Sequence, residues 1–191
     1  EKLLDILDRY NVKATFFVTN GKPDYQNLIA QEAQRGHTVA IHSASHDYAK
    51  IYQSVDAYFA DFDEMNSIIT AQTGKAADLV RFPGGSSNTI SKKYCYGIMS
   101  QLVCAVEERG FRYCDWNVSS GDAGGTTSTS QVAANVIAGI KGNNVSVVLQ
   151  HDIKNFSVDA VEQIIQWGLS EGYTFLPIIS TTPMSHHGVN N

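Results

Sequence analysis

Two histidines, His42 and His46, stand four residues apart in the stretch IHSASHD, with only small residues between them. Imidazoles at that spacing can clamp a divalent cation. The same spacing also arises when two polar residues share a loop, and among six histidines in 191 residues a chance pair is ordinary. Further along, Arg81 opens RFPGGSSN, Asp115 and Asp122 bracket DWNVSSGD, and His151 and Asp152 close VSVVLQHD. Each group alone has a plain structural reading: a hydrogen-bonded histidine, a salt-bridged arginine, a turn, a capping aspartate. Whether these ionisable and metal-binding types meet depends on the elements that carry them.

Those elements follow from periodicity. Leu3, Leu4, Leu7 and Tyr10 recur at helical spacing over residues 1–10, and an aromatic, β-branched run at 14–18 reads as a strand. A helix over 24–35 stops at Gly36, and a buried strand over 38–41 ends at His42. Ser54 can cap a helix reaching Thr73, with Gly74 as its stop. The pattern repeats with strands at 79–82, 111–116, 145–150 and 173–177. The helices between them fall at 97–109, 130–140 and 158–169. Strict alternation implies a parallel sheet. Six strands are expected, and an opening helix with no strand before it suggests a lost first one; about seven parallel strands suit a (β/α) barrel better than an open sheet. In such barrels the chemistry sits at the C-terminal ends of the strands. His42 with His46, Arg81, the stretch from Asp115 to Asp122, and His151 with Asp152 all fall at strand ends, which favours a site.

Composition sets the outer limits. The chain is 43% hydrophobic and 17% charged, enough to bury one domain core, and its net charge of −5 disfavours nucleic acid or anionic membrane as partner. No apolar run is long enough to span a bilayer. Cys95, Cys104 and Cys114 match no zinc or redox spacing and read as buried, inert thiols, a Cys95–Cys104 bridge being the alternative. Asp56, Asp61, Asp63 and Glu64 read as the solvated face of a helix. Residues 1–180 read as the domain and 181–191, with His186 and His187, as a tail.

Taken in order, HSASH, RFPGGSSN, DWNVSSGD and VVLQHD resemble the motifs of the polysaccharide deacetylases of the NodB-homology type, carbohydrate esterase family 4, and VKATFFV at 12–18 resembles that family's second strand. The resemblance implies a deformed, TIM-like (β/α) barrel and a divalent metal, usually zinc. It also implies removal of acetyl groups from a polysaccharide such as peptidoglycan, chitin or acetylated xylan, and hence an extracellular or cell-surface setting. Carried over residue by residue, it makes His42 and His46 metal ligands and Arg81 the arginine that positions the catalytic base. His151 becomes the general acid, and Leu149 lines the acetate pocket. Asp122 is the first choice for the aspartate that orients His151, although Ala123 stands where tryptophan is common. Asp115 is the second choice, followed by Trp116 as a wall of the substrate groove. The backbone N–H of Tyr48 is a candidate for the oxyanion, and Ser43 and Ser45 shape the loop.

One departure stands out. The family's first motif, T-F-D-D-G, supplies the base aspartate and a third metal ligand and is expected shortly before Glu1. No such stretch occurs in these residues, and ADFDE at 60–64 lies in an expected helix with its acids in the wrong order. The chain as read has two metal ligands and no base, so by itself it is expected to be inactive. A glycan-binding domain that has lost the base is the alternative from another class.

Overall fold

A computed structural model describes residues 1–190. In chain order the elements are α1 (Lys2–Arg9), β1 (Thr15–Thr19), α2 (Asn27–Gln34), β2 (Thr38–Ser43), α3 (Tyr48–Ile51), α4 (Val55–Thr73) and β3 (Leu79–Val80). They continue as α5 (Ile98–Glu108), β4 (Arg112–Tyr113), β5 (Val118–Ser119), α6 (Thr129–Lys141), β6 (Val148–Leu149) and α7 (Asn155–Ser170). The chain forms two compact units. One comprises Glu1–Ala14 and Trp116–Leu176; the other comprises Thr15–Asp115 and the residues from Pro177 on.

In the larger unit β1, β2, β3 and β4 form a parallel sheet in sequence order. A helical segment intervenes between each successive pair, as parallel pairing requires. The longest of these, α4, begins where Ser54 Oγ accepts the Ala57 N–H at 3.0 Å and ends at Gly74, whose φ of +76° suits a residue without a Cβ. Between those ends Tyr58, Phe62, Met65 and Ile69 recur at three- and four-residue steps and are buried with Ile41, Val80, Phe82, Leu102 and Tyr113. Burial of each such side chain stabilises the unit by about 1.5–3 kcal/mol. Asp61 lies on the same stripe and is only 2% exposed, so the reading of this acid as part of a solvated face is corrected.

The register of β2 has one irregularity with consequences. Val18 pairs with Ile41 but Thr19 pairs with Ser43, so His42 is an extra residue on β2. A bulge of this kind bends the strand and re-aims a side chain.

In the smaller unit β5 and β6 pair in parallel. Val132, Ala133, Val136 and Ile140 of α6 cluster with Ala160 and Ile164 of α7. Gly139 lets α6 approach β5 closely, since a Cβ there would lie 2.5 Å from Val118 Cγ1. α1 buries Leu4, Ile6 and Leu7 and joins α7 through Lys2–Asp159 and Arg9–Glu162, both 2.5 Å. Exposed ion pairs contribute little, so the apolar face of α1 matters more.

Several expectations need correction. The helix expected over 24–35 begins as a 3-10 turn at Pro23–Tyr25, and α2 starts only at Asn27. Residues 173–177 form no strand: Phe175 packs on Gly168, Leu176 is exposed, and Pro177 has no N–H for a ladder. β5 takes its place among the six strands described, so the count holds with a different member. The three cysteines are unbridged, and Cys104 is exposed rather than buried. The segment read as a tail is anchored: Ser185 O accepts the Asp115 N–H at 2.7 Å, and the His186 ring stacks on Tyr113 with centroids 3.9 Å apart.

Candidate active site

The larger unit holds His42, His46, Arg81 and Asp115. His42 projects from the bulge of β2, and its Nδ1 lies 2.6 Å from Arg81 O. A carbonyl there demands an Nδ1–H, which places the ring's lone pair on Nε2. The His42 and His46 rings lie with centroids 5.1 Å apart, and His46 adopts a φ of +52°, rare for a residue with a Cβ. The loop between them is held by α4. Asp61 accepts Ser43 Oγ at 2.6 Å, Ala44 N at 2.8 Å, Ser45 N at 2.8 Å and Ser45 Oγ at 2.5 Å. Burial would raise the Asp61 carboxyl, but these four donors outweigh it and hold it below the ordinary range.

Arg81 is a junction rather than a surface charge. Its Nε donates to Cys114 O at 2.8 Å, its Nη2 to Asp115 O at 2.9 Å, and its guanidinium lies 4.1 Å over the Phe17 ring. Asp115 is fully buried, and its carboxylate accepts Ser86 N at 2.9 Å, Ser86 Oγ at 2.6 Å and His187 N at 2.9 Å. It therefore shapes the FPGGSS turn, while the carboxylate found on His151 is that of Asp122, the first choice. Tyr48 follows the Asp47 N-cap of α3, in the first turn where an N–H has no intrahelical acceptor, and its ring meets His46 with centroids 5.6 Å apart.

The smaller unit holds a second constellation. After β5 the turn through Gly121 delivers Asp122, whose Oδ1 lies 2.8 Å from His151 Nδ1 and whose Oδ2 accepts the His151 N–H at 2.7 Å. Ser157 Oγ donates to Oδ2 at 2.6 Å, and Lys154 Nζ donates to the Asp122 carbonyl. Burial would raise the Asp122 carboxyl. The hydrogen bonds from His151 and Ser157 reverse that and hold it far below the ordinary range. The Asp122 side chain is 1% exposed and that of His151 37%, so an accessible imidazole stands on a buried anion. Leu149 lies on β6 opposite Ser119, and Leu149 and Trp116 are both half-buried.

The metal reading can be tested on these donors. Two imidazoles, one with its tautomer set by a carbonyl, suit two positions of a zinc ion, which in catalytic sites has three protein ligands. No group of three or more His, Cys, Asp or Glu residues that could hold an ion occurs among the described residues.

Comparison with known proteins bears on what these parts are. The polysaccharide deacetylase family model matches residues 1–96, the span that holds His42, His46 and Arg81. The catalytic domain of a peptidoglycan N-acetylglucosamine deacetylase from Eubacterium rectale is 69% identical, with a TM-score of 0.98 over 99% of this chain and 86% of that one. The chain belongs to the polysaccharide deacetylase family. Within that family, the polysaccharide deacetylase Bc1974 of Bacillus cereus is 31% identical, with a TM-score of 0.81 over 99% of this chain and 88% of that one. A peptidoglycan-N-acetylglucosamine deacetylase of the same species is 31% identical over 91% of this chain and 62% of its own length. The chain thus spans about three fifths of that curated relative. Its α/β fold with parallel strands is of the family's deformed-barrel class.

Sequence reasoning missed Asp61, Ser86, Lys154 and Ser157. For Asp61 a signal existed: an acid three residues after Tyr58 and four before Met65 sits on an apolar stripe, where an uncompensated carboxylate is costly.

Proposed function

We propose that the protein is a zinc-dependent hydrolase that removes N-acetyl groups from the N-acetylglucosamine residues of peptidoglycan, on the outer side of the cell. The observation that carries this reading is the buried Asp122 carboxylate gripping His151 through ring and backbone, in a chain of the polysaccharide deacetylase family. The names of the E. rectale and B. cereus relatives support the choice of peptidoglycan and of nitrogen over oxygen.

His42 and His46 would supply two of the ligands of the ion. When bound, zinc polarises a carbonyl oxygen and lowers the pKa of a coordinated water. The protein's own residues do the rest. Asp122 keeps the Nδ1–H of His151 pointed at itself, so Nε2 is the atom from which a proton passes to the leaving nitrogen as the C–N bond breaks. Ser157 and Lys154 fix Asp122 so that it does not follow the proton. The Tyr48 N–H is the proposed donor to the carbonyl oxygen as charge develops there. Leu149 borders the acetyl group and Trp116 the sugar chain. Arg81 ties the β3 end to the carbonyls of Cys114 and Asp115, and the family resemblance gives it the role of positioning a base. Asp115 and Asp122 are themselves committed to other partners and do not take the base role.

The test is acetate release from an N-acetylglucosamine oligomer by the full-length protein and its His151→Ala variant. The variant should keep its zinc while kcat falls by about 10²–10⁴-fold. Undiminished turnover by His151→Ala would overturn the assignment.

A further inference from the structure

Asp61 lies on α4, outside every motif that carries the family resemblance, yet its carboxylate accepts four hydrogen bonds from the loop that joins the two histidines. Both its carboxylate oxygens are used twice. Oδ2 takes Ser43 Oγ and Ala44 N, and Oδ1 takes Ser45 N and Ser45 Oγ. The chain of bonds continues from there: Ser43 Oγ accepts the His46 N–H at 2.9 Å, and Ser45 Oγ accepts the Asp47 N–H at 3.3 Å. His46 is thereby kept in the left-handed region, at a φ of +52°, which a residue with a Cβ disfavours. Helix packing gives no reason for an acid at this place. The neighbouring stripe positions Tyr58, Phe62, Met65 and Ile69 are apolar or aromatic, and an aspartate 2% exposed is tolerated only because its bonds are complete.

We infer that Asp61 is a positioning residue for metal binding: from α4 its carboxylate sets the loop conformation in which His46 is offered to the ion. The inference rests on the metal reading of His42 and His46 and extends it to a residue that never touches the ion. Asparagine at position 61 keeps the shape but replaces two lone-pair sites with N–H donors facing the donors of Ala44 and Ser43. Alanine at position 43 leaves the carboxylate in place and cuts the link that runs through Ser43 Oγ to the His46 N–H.

The experiment measures zinc affinity of the full-length protein by competition with a chromophoric chelator, the visible spectrum of the cobalt(II)-loaded form, and melting of the metal-free form. Asp61→Asn and Ser43→Ala should each weaken zinc binding by about 10–100-fold and alter the cobalt spectrum. Met65→Ala, one turn along the same stripe, should lower the melting temperature while leaving affinity and spectrum as in the parent. An Asp61→Asn protein with parental affinity and spectrum overturns the inference, as does an equal loss of affinity in Met65→Ala. If Asp61→Asn does not fold, Ser43→Ala decides, and parental affinity there overturns it. A parent that binds no zinc removes the metal reading beneath it. A parent and Asp61→Asn that bind zinc equally leave the metal reading standing and remove only the role of Asp61.

Discussion

Two aspartates with buried carboxylates organise the two constellations, and only one was legible in advance. Asp122 could be placed because it falls at the family's D-W position, even with Ala123 in place of the tryptophan. Asp61 could not, because its partners Ser43 and Ser45 lie 18 and 16 residues earlier and meet it only once α4 packs on β2. Ser157 was invisible for a similar reason: it opens α7 as an ordinary small residue, and its use depends on the turn that brings Asp122 within 2.6 Å. Its contribution can be measured. Ser157→Ala removes a hydrogen bond to a charged acceptor and should cost about 1.5–3 kcal/mol of stability. It should also lower kcat for acetate release while KM and zinc content stay unchanged. A variant with parental kcat would show that the Asp122–His151 pair holds without Ser157.

Helices were far more legible than strands. Ser54 and Gly74 bound α4 as their chemistry dictates, and Gly110 follows α5 at a φ of +83°. Four of the six strands described contain two residues each, too short for any alternation to show. β5 therefore carries no strand signal in the sequence, while residues 173–177, with better strand composition, remain outside any ladder. What places β5 is a close approach no periodicity encodes, the contact of Val118 with α6 at Gly139. Gly139→Ala would gain about 1 kcal/mol of helix propensity. Its Cβ, 2.5 Å from Val118 Cγ1, should cost more, since overpacking typically destabilises by about 1–3 kcal/mol. Thermal melting should therefore show a lower midpoint for Gly139→Ala. A raised midpoint would mean that β5 and α6 can separate without loss.

At the scale of the whole molecule, the resemblance carried by four short stretches extends to a fold shared over 99% of the chain with the E. rectale catalytic domain. No helix among the described residues is long and apolar enough to cross a membrane. Stability should depend on acid in a defined way. Asp61 and Asp122 are both held below the ordinary carboxyl range, because hydrogen bonds outweigh their burial. The unfolded chain therefore takes up protons first on acidification. Their contribution is complete above about pH 4 and is lost as the pH falls through the folded values. Melting midpoints followed from about pH 7 to about pH 2 should fall more steeply below about pH 4 in the parent than in Asp61→Asn or Asp122→Asn. Parallel curves would show that these carboxylates do not govern acid stability. The central claim, zinc-dependent hydrolysis of an N-acetyl group, is tested most directly by counting both products. The full-length protein should release acetate and free amine from an N-acetylglucosamine oligomer in equal amounts, stop when zinc is chelated, and resume when zinc is restored. Acetate without amine, or turnover that survives complete removal of the metal, would contradict the account.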